Sequence, residues 1–265
     1  MTVIFVASFL IGLCFGSFIN VLIWRLPRGE SPILPRSYCP RCRSRLFWFE
    51  NIPIVSWLMQ KGRCNSCNGV ISPRYPIVEL FTALLFVICN FSYLYTEDIR
   101  LNFFVLVSGW ILVCILLSLT FIDITHLILP QSLISLGYMF GTIYLLVSLI
   151  YFNFNLSYLF DHFLAAFFSY IIFEFIRLVG RQIYSKEVLG QGDSKLISML
   201  GLWLGIKCTY IAIVLTFIIS ATYAIIGLTL KKIEIGKPYA LGPFIAFSGF
   251  FVWIVGSEFY FANFL

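Results

Sequence analysis

Charge is scarce in this chain. Only 11% of its 265 residues are Asp, Glu, Lys or Arg, 60% are hydrophobic and the mean hydropathy is +0.96. A soluble globular domain carries roughly 25% charged residues, so this composition excludes that class and points to a polytopic membrane protein. Histidine is scarcer still. His126 and His162 are the only two, and they are expected on opposite sides of the membrane. That leaves little material for a His-based serine protease, and no HExxH occurs for a metalloprotease. The first apolar run has no basic stretch ahead of it, and "GSFINVLIWRLP" stands where a small-residue cleavage site belongs in a signal peptide. It therefore reads as a retained helix.

What is there is mainly membrane helix. A span needs roughly 20 apolar residues. Seven stretches qualify, at 2–24, 76–95, 102–122, 127–152, 157–179, 209–230 and 239–262, and 194–206 forms a shorter eighth with Gly201 and Gly205 inside it. The predicted fold is all-α, with about eight transmembrane helices and one soluble insert at 25–75. The expected organisation is a first transmembrane helix at 1–24, the insert at 25–75 and a helical bundle at 76–265. With eight helices and the N-terminus outside, 16 of the 18 Lys and Arg fall on the cytoplasmic side; only Arg100 and Lys207 do not. This satisfies the positive-inside rule. Omitting the short span would move "KKIEIGK" to the other side and spoil the bias. The net charge of +6 is thus a matter of topology, and no nucleic-acid partner is needed to explain it. The bilayer is the partner the composition demands.

The insert differs in kind. It is rich in Arg and Pro and carries "CPRC" (Cys39, Cys42) and "CNSC" (Cys64, Cys67), separated by 21 residues. Two CxxC knuckles suit a tetrahedral four-cysteine zinc site, since each offers two thiolates from one tight turn. About 50 residues make too small a core to fold unaided, and a structural metal supplies the missing energy. Disulfides or thiol exchange fit less well, because the cytoplasm is reducing and a reactive CxxC normally sits on a thioredoxin-like unit. Cys14, Cys89, Cys114 and Cys208 lie singly in apolar runs and read as small hydrophobes.

Of the 12 acidic residues, four fall at or inside the membrane boundary: Glu79, Asp123, Glu174 and Asp193. Such groups are expensive there and are functional suspects by default. Glu174 stands three residues before Arg177, which explains it as an ion pair. Glu79 opens the second span, where the helix dipole favours it. Asp123, in "FIDITHLILP", and Asp193, in "GQGDSK", remain. The topology puts both at the cytoplasmic membrane face although 70 residues separate them. Two carboxylates brought together share one proton, which is the requirement of aspartyl proteolysis: the ionised member activates water and the protonated one donates to the peptide carbonyl. Gly190 and Gly192 let a substrate strand approach the acid. A simple N-cap by Asp193 accounts for "GD" but not for a second acid at the same depth. Two other classes share some features. A proton-coupled carrier also uses acids beside Gly-broken helices, but near the midplane. A zinc-stabilised scaffold needs neither aspartate.

Taken together, these residues resemble the type IV prepilin peptidase family, GxGD-type membrane aspartyl proteases. The likeness covers nearly the whole chain. It runs through "GSFINVLIWRLPRGESPILPRSYCPRC", "ENIPIVSWLMQKGRCNSCNGVISPRYPIVELFTALLF", "FIDITHLILP", "LGQGDSKLISMLGLWLG" and "LGPFIAFSG". The resemblance implies an enzyme of the bacterial inner membrane that serves type IV pilus or type II secretion systems. Members cleave the basic leader of type IV prepilins or pseudopilins after a glycine. They then N-methylate the new N-terminal residue, usually phenylalanine, with S-adenosylmethionine. By motif, Asp123 and Asp193 carry the peptidase chemistry, Gly190, Gly192 and Lys195 form the substrate loop, and the four-cysteine insert is that of bifunctional members. Three positions depart from the family pattern: Thr125 and Gln131 stand where an acid and an Asp or Asn are usual, and Ser194 replaces Val. No Gly-rich S-adenosylmethionine loop on a strand–helix unit is present. Glu79 and the insert are the places to look for a methyl-transfer site.

Overall fold

The computed structural model describes residues 2–90, 98–152, 154–184, 189–232 and 239–264. Among them the chain is helical, with no strand beyond two isolated bridges, Tyr38 with Arg45 and Arg63 with Val70. The helices are α1 (Thr2–Arg25), α2 (Val55–Met59), α3 (Arg74–Ile88), α4 (Ile99–His126), α5 (Gln131–Tyr151), α6 (Leu156–Tyr184), α7 (Gln191–Thr229) and α8 (Gly242–Phe264). Five of them, α1, α4, α5, α6 and α7, are long and apolar enough to cross a membrane. This is a membrane protein of the all-α class. The chain divides into two compact units, Met1–Leu94 with Phe103–Ser118, and Tyr95–Asn102 with Leu119–Leu265.

In the first unit, α1 carries Ser8, Gly12, Gly16 and Asn20 at intervals of four, all buried on one face. Without a hydrophobic force between helices in lipid, association depends on close backbone packing and on hydrogen bonds. Both are present against α3. A Cβ at Gly12 would stand 2.6 Å from Ala83 Cα, and one at Gly16 would stand 2.6 Å from Glu79 Cα. At the ends of the stripe, Asn90 Nδ2 donates to Ser8 Oγ at 3.0 Å and Asn20 Nδ2 donates to the Tyr75 carbonyl at 3.1 Å. The predicted span 76–95 is found as a helix over Arg74–Ile88, with residues 91–97 outside the described part.

The second unit is organised around the start of α7. α7 has 39 residues, a length of about 58 Å at 1.5 Å per residue. That is nearly twice the ~30 Å hydrocarbon core. It is not one rod: Gly205 has φ 70° and ψ 174°, a conformation essentially reserved for glycine, and it splits α7 into 191–204 and 206–229. The short span and its longer successor, expected as separate helices, are these two halves. The break frees the Ile206 N–H, and Asp161 Oδ2 accepts it at 3.1 Å. From Leu196 to Gly205 every residue of the first half is buried, because three helices cover it. Trp203 Nε1 donates to the Gly137 carbonyl of α5 at 3.0 Å, Ser198 Oγ donates to the Ala166 carbonyl of α6 at 2.7 Å, and Gly249 of α8 packs on Leu200. A segment covered all round must be apolar all round, which is why 194–206 shows no amphipathic stripe.

Candidate functional site

Asp123 and Asp193 both belong to the second unit, and each lies at a helix end. Asp123 is in the last turn of α4. That helix stops because Leu127 turns left-handed (φ 53°) and returns its N–H to the Asp123 carbonyl at 2.9 Å. The Asp123 side chain is buried, and its Oδ2 accepts a hydrogen bond from the backbone N–H of Gly242, 2.9 Å away, at the first residue of α8. A helix N-terminus presents unpaired N–H groups and a positive dipole end, both of which favour a carboxylate. Asp193 is the third residue of α7. Its Oδ2 accepts the Gly190 N–H at 3.1 Å, so it caps its own helix from within the first turn. Each aspartate thus has one oxygen tied to a backbone amide, leaving Oδ1. One side chain, Leu129, packs against both approaches: a Cβ at Gly192 would stand 2.9 Å from Leu129 Cβ, and one at Gly242 would stand 3.3 Å from Leu129 Cδ2.

The loop residues fall around this pair. Gly190 is extended (φ −71°, ψ 143°) and Gly192 is already helical, so neither needs a left-handed backbone. What they permit is close approach, of the Asp193 carboxylate at Gly190 and of Leu129 at Gly192. Lys195 Nζ donates to Gln131 Oε1 at 2.8 Å, and its carbonyl accepts from Tyr138 Oη at 3.2 Å. Both contacts tie the start of α7 to α5. Thr125 is exposed and donates to the Phe121 carbonyl, and Glu174 pairs with Arg177 as expected. Gly242 was not singled out as a site residue from sequence. Its only signal was a place inside "LGPFIAFSG", next to a proline that suits a helix start.

The insert lies in the first unit. The Sγ atoms of Cys39, Cys42, Cys64 and Cys67 all lie within 4.8 Å of one another. A tetrahedral zinc with bonds of about 2.3 Å sets its sulfurs about 3.8 Å apart, so this cluster fits such an ion. The two knuckles are built alike. Arg43 and Asn68, each following the second cysteine, are left-handed (φ 59° and 54°). Their N–H groups return to the Cys39 and Cys64 carbonyls at 2.8 Å, and the Cys39 and Cys64 N–H groups donate to Ser44 and Gly69 at 2.9 Å. Hydrogen bonds from the Ser44 side chain and backbone pull the Cys42 thiol down to about 6, and the Cys67 backbone amide lowers Cys64. The Gly69 amide favours the Cys67 thiolate as well, yet burial and the adjoining Cys42, Cys64 and Cys39 sulfurs push that thiol up to about 11. Four thiols that crowd one point cannot all ionise until a cation joins them.

A second feature of this unit is Glu79. It is 6% exposed, and its Oε2 accepts the Ile54 N–H at 2.7 Å. Ile54 has φ 60° and ψ −51°, and Val55 N–H reaches the Pro53 carbonyl at 2.6 Å. This is a γ-turn of the rare, positive-φ hand on a β-branched residue. Such strain costs about 1–3 kcal/mol and persists only where the surroundings enforce it.

Residues 10–93 match the model of the bacterial peptidase A24 N-terminal domain, and residues 110–225 match that of the type IV leader peptidase family. Curated relatives named prepilin leader peptidase/N-methyltransferase include one from Aeromonas salmonicida, 33% identical, with 94% of this chain and 90% of the relative covered. The one from Pseudomonas aeruginosa is also 33% identical, covering 95% and 90%. That of Myxococcus xanthus is 40% identical over 74% of this chain, which spans 55% of that relative's length. No solved structure matches.

Proposed function

The chain belongs to the type IV leader peptidase family, and on that premise we propose that it cleaves the basic leader of type IV prepilins or pseudopilins after glycine with Asp123 and Asp193, then N-methylates the freed terminus. The observation that carries this reading is the aspartate pair itself. Two buried carboxylates lie within the matched region 110–225, each pinned through Oδ2 to a backbone amide and each with Oδ1 left for chemistry.

The mechanism follows from one proton shared between two acids. The ionised aspartate takes a proton from water as it attacks the scissile carbonyl. The protonated aspartate donates to the carbonyl oxygen and, on collapse of the tetrahedral intermediate, a proton passes to the leaving amine. The backbone bonds from Gly242 and Gly190 hold the two carboxyls still, so the reaction needs little reorganisation. Gly190 and Gly192 let the Asp193 carboxylate and Leu129 pack closely on this loop, beside which an extended substrate segment would lie, and Lys195 stands at the same helix start. A prepilin carries its scissile bond at the end of an apolar helix, so the dyad is proposed at the cytoplasmic membrane face of a bacterial inner membrane. The N-terminus is then periplasmic and the insert cytoplasmic, the orientation that the basic residues favour. The domain assignment proposed is a first span at 1–24, a zinc-binding insert at 25–75 with the methyltransferase function, and the peptidase bundle at 76–265. Cys39, Cys42, Cys64 and Cys67 would hold a structural zinc. S-adenosylmethionine would supply an electrophilic methyl group.

The test is leader cleavage in detergent or liposomes by wild type, Asp123→Asn and Asp193→Asn, read by mass spectrometry. Each substitution is isosteric and removes the proton traffic, so a loss of at least about 1,000-fold is expected. If either variant, folded and metal-loaded, cuts at the wild-type rate, the dyad is refuted.

A further inference from the structure

The first unit encloses a cavity of about 100 Å³ that the peptidase reading does not use. Its walls include Ser17 of α1, Tyr75 and Glu79 of α3, and Glu50, Ser56 and Trp57 of the insert. No Lys, Arg or His is among the described residues that line it. Its polar lining is two carboxylates, the hydroxyls of Ser17, Ser56 and Tyr75 and the amides of Asn51 and Gln60, beside the rings of Trp57 and Tyr75, and such a set, without positive charge, suits an organic cation. The carboxylates are held in place. Glu50 accepts the Phe47 N–H at 2.8 Å and Asn65 Nδ2 at 2.8 Å. Glu79 receives the amide of the strained turn at Ile54. Trp57 is fixed by its Nε1 bond to the Ile71 carbonyl at 3.2 Å, and Gly62 lies so near that a Cβ there would stand 2.9 Å from the ring. A buried carboxylate calls for a countercharge, and none of the ion pairs among the described residues supplies one to Glu79.

Size and place narrow the occupant. A nucleoside-sized ligand needs a pocket of roughly 300 Å³ or more, so this cavity takes an ammonium and the few atoms around it rather than a whole S-adenosyl group. It is walled by two apolar helices on one side and by the polar insert on the other. A peptide whose free amine tops an apolar helix has this same sequence of surfaces. We propose that the cavity seats the α-amine of the cleaved peptide, with Glu79 as its carboxylate partner and Trp57 and Tyr75 as its walls. The proposal rests on the methyltransferase half of the function stated above. Glu79 binds the ammonium and takes one proton from it. The freed nitrogen lone pair then forms the N–C bond to the methyl group while the S–C bond of the donor breaks, its electron pair staying on sulfur as a thioether.

The experiment uses the full-length, zinc-loaded protein in detergent, as wild type, Glu79→Gln and Glu79→Asp. Four quantities are read: leader cleavage, the methyl mass increment on a Phe-starting apolar peptide, binding of that peptide against its N-acetylated form, and binding of S-adenosylmethionine alone. In Glu79→Gln, which keeps the shape and the Ile54 hydrogen bond, methylation is expected to fall by about 100-fold or more, the range of a lost general base. Preference for the free amine over the acetylated peptide should vanish, while cleavage and S-adenosylmethionine binding stay at wild-type levels. Glu79→Asp should keep that preference with a raised KM. Wild-type methylation and amine preference in Glu79→Gln overturns the assignment. Loss of S-adenosylmethionine binding with peptide binding intact also overturns it, and gives the cavity to the donor's sulfonium. A wild-type enzyme that cleaves but transfers no methyl group refutes the methyltransferase reading itself, a result distinct from either.

Discussion

Substituting Gly242 with alanine tests the link between backbone and chemistry most directly. The added Cβ would stand 2.6 Å from Asp123 Oδ2, 3.2 Å from its Cγ and 3.3 Å from Leu129 Cδ2. Ordinary contact between carbon and oxygen is at about 3.2–3.3 Å, so the carboxylate must retreat by roughly 0.6 Å or rotate away. Either movement stretches or breaks the 2.9 Å bond from the Gly242 N–H. The obstacle is the end of a side chain rather than backbone, so it can shift aside and the chain can still fold. The lost bond to an acidic group is worth about 1.5–3 kcal/mol at most. Catalysis is less forgiving, because a misplacement near 1 Å costs about 100-fold. Gly249→Ala is the matched control. Its Cβ would stand 2.6 Å from Leu200 Cδ1, an equal intrusion with no carboxylate involved. The assay is the leader-cleavage rate beside thermal unfolding in detergent. Both variants should lower Tm to a similar extent, by an equivalent of about 1–3 kcal/mol, but only Gly242→Ala should lose about 100-fold in kcat, and Gly249→Ala should keep it. If both variants lose rate in proportion to stability, the hold of α8 on Asp123 has no catalytic meaning.

Two further expectations concern the first unit. The lowered Cys42 thiol adds a stabilising contribution that is complete above the ordinary thiol range and is lost as pH falls through about 6. Bound zinc, followed with a chromogenic chelator, should be released as the medium is acidified, because protons compete with the metal for the thiolates, and a metal content independent of pH down to strong acid would argue against thiolate ligation. At the contact of α1 with α3, Gly16→Ala puts a Cβ 2.6 Å from the Glu79 Cα, a backbone atom that cannot rotate aside. It should destabilise the protein by about 1–3 kcal/mol, read as a lower Tm in detergent; an unchanged Tm would refute the close packing.

Much of the site was legible because charge is conspicuous in an apolar chain. Asp123 and Asp193 stood out since a carboxylate at a membrane boundary needs a reason, and the four cysteines because spacing alone encodes a tetrahedral cluster. Glu174 with Arg177 followed from helical periodicity. The short span at 194–206 could be counted from charge balance, although its cause is local: one residue, Gly205, whose backbone breaks α7, and one distant acid, Asp161, that satisfies the amide exposed by the break. The bond of Asp161 to Ile206 spans 45 residues, beyond any local pattern.

The features that escaped share a physical character. Gly242 has no side chain to advertise a role, and its bond to Asp123 joins positions 119 residues apart. Ile54 is a residue that propensity alone would keep out of positive φ, so its turn can arise only where tertiary contacts enforce it. In both cases a backbone N–H, identical in every residue but proline, is aimed at a buried carboxylate. Side-chain chemistry is written in the sequence, whereas the direction of a backbone amide is set by the packing around it. The candidate acids could thus be named from residue types, but what holds each of them in position had to come from the fold.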